Sequence, residues 1–197
     1  MKTARAWMIW VAVAALIAVP IIAAGASPLL AYRKAAYIIA GFAGVVALAL
    51  LLMQPLLIGG HLPGLTASQS RRIHRIVGGA LAVAVVIHVT GLWLTSAPDV
   101  IDALTFASPT PFSPWGVVAM WAVFTSALLA ALRRRLALKP QVWRWLHTLL
   151  AVVIVTGGVV HSLLIEGTME TWSKLALCAA VVVAGGAAVL RLRRQAG

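Results

Sequence analysis

Six apolar runs, each close to twenty residues long and joined by short linkers, occupy most of this 197-residue chain. They fall near 7–25, 35–58, 73–95, 115–132, 143–165 and 172–190. About 20 apolar residues is what a helix needs to cross roughly 30 Å of hydrocarbon. Within lipid, every backbone polar group must be satisfied inside one helix or around a closed barrel, and runs of this length suit only the helix. The expected fold is therefore all-α: a six-helix transmembrane bundle in which residues 1–197 form one integral-membrane domain. The linkers leave no room for a soluble domain. Composition agrees, with 62% of residues hydrophobic and 10% charged, against about a quarter charged in soluble domains.

A net charge of +12 invites a nucleic-acid reading, but the placement of the charges excludes it. With the N-terminus in the cytoplasm, the inner segments hold Lys2, Arg5, Arg71, Arg72, Arg75, Arg133, Arg134, Arg135, Lys139, Arg144, Arg191, Arg193 and Arg194. The outer loops hold only Arg33, Lys34 and Lys174, together with all four acids, Asp99, Asp102, Glu166 and Glu170. This is the positive-inside asymmetry of a membrane protein, and it puts both termini in the cytoplasm. The basic residues anchor loops instead of building a nucleic-acid face. Trp7, Trp10, Trp93, Trp115, Trp143, Trp145 and Trp172 lie near expected helix ends, as an aromatic belt requires, while Trp121 lies within a run. The first run has some features of a signal peptide, with Lys2 and Arg5 before it and Ala24-Gly25-Ala26 at its end. Its length and Pro20 favour a retained anchor. The lone Cys178 rules out an intramolecular disulfide and any cysteine-ligated cluster.

Four of the five histidines form two pairs of identical spacing. His74 and His88 are 14 residues apart in the third run, and His147 and His161 are 14 apart in the fifth. Fourteen residues is nearly four helical turns, so both imidazoles of a run share one face, about 21 Å apart along the axis. The third and fifth helices run parallel, so equal spacing lets two levels close together: His74 with His147 at the inner side, His88 with His161 at the outer. Imidazoles buried in hydrocarbon are costly and mark function. Two histidines per level suit two stacked b haems held between the third and fifth helices, one haem being the alternative. Doubly ligated iron has no open position and serves electron transfer. Levels so far apart cannot make one tetrahedral zinc site, and no acid or lysine shares these runs to build a proton path.

Projected down their helices, Leu81 and Ile154 fall midway between the histidine directions, where they are expected between the haem edges. Gly78 and Gly158 lie near the ligand faces and are candidates for haem packing, small-residue helix contact being the alternative. Arg75 and Arg144, among the arginines flanking the inner histidines with Arg71 and Arg72, are candidates for propionate contacts because guanidinium pairs with a carboxylate bidentately. Arg133, Arg134 and Arg135 serve topology. His61, in the turn-rich Gly59-Gly60-His61-Leu62-Pro63-Gly64, reads as an exposed loop histidine. The outer segment 96–114, with Asp99, Asp102 and four prolines, is either a lid for an acceptor or a spacer.

Ser70-Arg71-Arg72-Ile73-His74-Arg75-Ile76-Val77-Gly78 with His88 resembles the third helix of the ferric reductase-like transmembrane domain. Trp143-Arg144-Trp145-Leu146-His147 with His161-Ser162-Leu163-Leu164 resembles its fifth helix. That superfamily includes NADPH oxidases, ferric reductases and the haem-binding subunit of the bacterial periplasmic methionine sulfoxide reductase system. The resemblance covers roughly the second to sixth helices. It implies a membrane cytochrome in a bacterial-type inner (plasma) membrane, with b haems on His74/His147 and His88/His161, carrying electrons from a cytoplasmic flavin to an outer acceptor. The second spacing is one residue longer than is common in oxidase-type members, which turns His161 by about 100° from that pattern. Relatives that work alone carry a flavin and nicotinamide module. Here no phosphate-cradling glycine motif follows a strand, so FAD or FMN would come through a partner flavoprotein reductase, or quinol would be the donor. The expected function is an oxidoreductase-type membrane subunit. A cytochrome b561-like quinol-linked carrier and a non-redox membrane bundle are the alternatives.

Overall fold

A computed structural model describes residues 2–194, which form seven α-helices and no strand. These are α1 (Lys2–Gly25), α2 (Ala35–Ile58), α3 (Ala67–Thr95), α4 (Ala97–Leu104), α5 (Ser113–Leu132), α6 (Pro140–Leu164) and α7 (Thr171–Arg194). A 3-10 turn at Pro28–Tyr32 joins α1 to α2. All except α4 are long and apolar enough to cross a membrane, which gives the six expected spans and an integral membrane protein. The third and fifth spans are α3 and α6. Of the two termini expected in the cytoplasm, residue 1 and residues 195–197 lie outside the described set.

Several helices start earlier than hydrophobicity alone indicates, because polar residues supply the caps. Helix α3 begins six residues before its apolar run. The Thr66 hydroxyl accepts from the Gln69 N–H at 3.3 Å, and the Thr66 N–H donates to Gln69 Oε1 at 2.8 Å, a reciprocal capping box. Pro140 opens α6 at a position where a missing N–H costs nothing. Segment 96–114, expected as a loop, contains α4. Two of its four prolines are helix starters, Pro98 in the first turn of α4 and Pro114 in that of α5.

Glu170 caps α7 by accepting the backbone N–H groups of Trp172 (2.8 Å) and Ser173 (2.6 Å). Those two N–H groups, Ser173 first, hold its carboxyl below the usual carboxylate range. A depressed native pKa contributes stability that is present above the unfolded carboxylate value and lost as pH falls through the native one. Glu170→Ala is therefore expected to lower the protection of the Trp172 and Ser173 amides, measured against their intrinsic exchange rates, at neutral pH, and protonating Glu170 by acidification should lower it likewise in the unmodified chain. Protection unchanged by either would contradict the cap.

Helix α2 is the most deeply packed of the spans. In its most apolar stretch 39% of residues are buried, against 17% in those of α3 and α6. The core joins Leu48, Leu51 and Leu52 of α2, Leu81 of α3, Val123 of α5, Ile154 of α6, and Leu177 and Val181 of α7. Helix α3 packs on α2, and α6 packs on α5, while α3 and α6 hardly approach one another along their backbones. The molecule is thus two helical hairpins facing across a gap, with α7 and α1 closing one side.

Glycine sets the tightness of each hairpin. A Cβ on Gly91 of α3 would lie 2.8 Å from the Ala40 Cβ and 3.1 Å from the Ala36 carbonyl oxygen of α2. On Gly157 of α6 it would lie 2.9 Å from the Trp115 carbonyl oxygen of α5. Gly91→Val is expected to destabilise the α2–α3 hairpin by about 1–3 kcal/mol, the usual range for overpacking, visible as a lower melting temperature in detergent. An unchanged melting temperature would show that the hairpin is not close-packed there.

Candidate functional site

The four paired histidines meet across the gap between the hairpins. His74 and His147 face each other with ring centroids 6.2 Å apart and planes at 78°. His88 and His161 do the same at 6.4 Å and 84°. The first pair lies at the basic end of the bundle, where α3 and α6 begin, and the second towards the acidic end. The longer second spacing does not turn His161 away from its partner.

These separations decide what each pair can hold. Two imidazoles bonded through one nitrogen each to opposite sides of a metal, at roughly 2 Å per bond, have ring centroids about 6 Å apart. Rings in direct hydrogen-bonded contact would be closer. No group of three or more His, Cys, Asp or Glu side chains gathers among the described residues. Each pair therefore supplies two donors and no more, too few for tetrahedral zinc. A metal that brings its own equatorial donors, as in a haem, needs only those two.

Second contacts fix the rings. His88 Nδ1 donates to the Ala40 carbonyl of α2 at 2.7 Å, and His161 Nδ1 donates to the Phe112 carbonyl at the start of α5 at 2.9 Å. A carbonyl can only accept, so both Nδ1 atoms carry hydrogen and Nε2 of the neutral ring keeps its lone pair. That is the arrangement in which an imidazole is oriented and made more basic for a metal. Ser126 Oγ of α5 lies 3.0 Å from His147 Nδ1. The Trp143 ring stacks on His147 at 5.1 Å with the planes 13° apart, and the Arg133 guanidinium lies 4.9 Å from the Trp143 ring centroid. Trp143, read from sequence as a belt residue, therefore also braces a histidine. His74 Nδ1 is buried without a hydrogen-bond partner.

Two further residues were not legible in the sequence. A Cβ on Gly44 would come 3.0 Å from His88 Nδ1, and one on Gly116 would come 2.6 Å from His161 Nδ1. Each glycine sits one turn after the residue whose carbonyl holds that ring, Ala40 and Phe112 respectively. The neighbouring helix thus supplies both an acceptor and the room for the ring. The glycines expected on the ligand helices have other neighbours: a Cβ on Gly78 would be 3.6 Å from Gln54 Nε2, and one on Gly158 would be 3.4 Å from Leu51 Cδ2. Leu81 and Ile154, midway between the levels, are both buried in the core. Arg75, Arg144 and His61 are exposed.

No curated protein and no solved structure matches the chain. The family model of the ferric reductase-like transmembrane component matches residues 39–158, which run from α2 into α6 and include His74, His88 and His147. His161 lies three residues beyond the match. With more than half the chain matched and its histidines paired in space, the protein belongs to the ferric reductase-like transmembrane component family.

Proposed function

We propose that this chain is the electron-carrying membrane subunit of a ferric reductase-like oxidoreductase, with one b haem per histidine pair. The observation that carries this reading is the matched centroid separation at both levels, 6.2 and 6.4 Å, between helices whose backbones stay apart. Haem so ligated supplies reversible one-electron transfer without an open site at iron. The chain's own residues hold, orient and shield. His74 and His147 form the basic-end pair, and His88 and His161 the acidic-end pair. The Ala40 and Phe112 carbonyls and Ser126 fix ring direction, while Leu81 and Ile154 keep water out between the levels. Arg75 and Arg144, exposed at the start of α3 and α6, are the cations proposed to meet propionates at the basic end.

Sidedness follows from charge, since the end rich in arginine faces the cytoplasm. The donor, a flavoprotein reductase carrying FAD or FMN, or quinol, would deliver electrons there, and the acceptor would take them at the acidic end. Near-perpendicular imidazole planes add a spectroscopic expectation: a strongly anisotropic low-spin ferric signal at each level.

The test is transfer across a bilayer. Purified protein in liposomes loaded with ferricyanide should pass electrons inward from external dithionite, at a rate that falls when any of the four histidines is replaced by alanine. Haem that reduces fully while the internal ferricyanide stays oxidised would overturn the wire.

A further inference from the structure

The two hairpins repeat one another. On their first helices Ala40, Gly44 and Gln54 of α2 correspond to Phe112, Gly116 and Ser126 of α5 at a constant offset of 72 residues. On their second helices His74, Leu81 and His88 of α3 correspond to His147, Ile154 and His161 of α6 at an offset of 73. The correspondence is physical as well as numerical. Ala40 and Phe112 both present a carbonyl to the acidic-end histidine, and Gly44 and Gly116 both make room for its ring. Leu81 and Ile154 both enter the core between the levels. Equivalent helices run in the same direction, so the repeat is of the parallel kind, related by an axis along the membrane normal.

One position in this repeat is incomplete. Ser126 stands at the Nδ1 of His147, and its counterpart Gln54 turns its side-chain amide to α3 one turn from His74, where a Cβ on Gly78 would lie 3.6 Å from the amide nitrogen. Yet His74 Nδ1 and Gln54 Nε2 are both buried without a partner. A buried polar atom left unpaired costs about 1–3 kcal/mol. The oxygen and nitrogen of a side-chain amide are nearly interchangeable in shape, so a half-turn of the Gln54 amide replaces a donor by an acceptor.

We infer that Gln54 is the positioning residue of the basic-end site, its amide oxygen accepting the His74 Nδ1 hydrogen as the fourth anchor of the repeated set. The inference rests on haem binding as proposed above. A hydrogen-bonded Nδ1–H makes the imidazole more basic and favours ferric iron. Removing the acceptor should therefore ease the one-electron reduction of that level alone.

The experiment is a mediated redox titration of the purified, haem-loaded protein. The basic-end component is identified as the one that survives in His88→Ala. In the haem-bound fraction, Gln54→Leu should raise that component's midpoint by about tenfold in reduction equilibrium, ~59 mV for one electron. The other component should stay in place. Gln54→Glu has the shape of the native side chain and a stronger acceptor, and it should move the same component the opposite way, so the inference stands or falls even where Gln54→Leu folds poorly. If both components are unmoved, the Gln54 side chain is not the acceptor and the inference fails. Equal movement of both would mean a general packing effect, which also overturns it. Wild-type protein that folds without haem would instead overturn the reading beneath, a result distinguishable from either.

Discussion

His88→Ala and His161→Ala are each expected to remove one haem and leave the other. Either substitution deletes one of only two donors at that level, and no third His, Cys, Asp or Glu stands near to replace it among the described residues. The basic-end pair is about 21 Å away along the helices, so its ligation is independent. Haem per chain should fall from two to one, and the reduced-minus-oxidised spectrum should lose one component. His74→Ala and His147→Ala should remove the complementary component. Loss of both haems from every single variant, with the helical content intact, would show that the levels are not separate sites.

Gly116→Val is expected to produce the same loss without altering a ligand. Its Cβ would lie 2.6 Å from His161 Nδ1 and 2.7 Å from Cε1, distances no side chain adopts without displacing the ring. The ring cannot simply swing aside, because its Nδ1 is tied to the Phe112 carbonyl and it meets the Phe112 ring in a T-shaped contact with centroids 5.7 Å apart. Outer contacts of metal-binding histidines are commonly worth 10–100-fold in affinity, and a direct clash at this distance should reach the upper part of that range. The acidic-end haem should then be lost in dilute detergent while the basic-end haem remains. Gly79→Val is the control, since a Cβ there meets nothing within 4 Å. Equal haem retention in the two variants would mean that His161 does not act from the position the fold gives it.

The spans and the histidine levels were readable because each depends on periodicity within one helix. Hydrophobic length marks a crossing, and a spacing of 14 marks a shared face. Capped ends were also written in the chain, but in polar residues that hydropathy ignores: Thr66 with Gln69 lengthens α3, and Glu170 starts α7. Pro98 and Pro114 looked like loop punctuation and proved to open α4 and α5. What could not be read was anything that one helix does for another. Gly44 and Gly116 lie far in sequence from the rings they accommodate, and the carbonyls of Ala40 and Phe112 leave no trace in residue type. Spacing points to glycines on the ligand helices, Gly78 and Gly158, whereas those against the imidazoles belong to the helices beside them. The repeat leaves little trace in the sequence for a related reason. Its matching positions share roles more than identities, as Ala40 with Phe112 and Gln54 with Ser126 show.

The haem content of the purified wild-type chain bears most directly on all of this. Extraction as the pyridine haemochrome, set against protein concentration, should give two b haems per chain, both low-spin in the ferric state. A folded, fully helical chain that binds no haem when supplied with it would contradict the proposal that the two histidine pairs are axial ligand pairs.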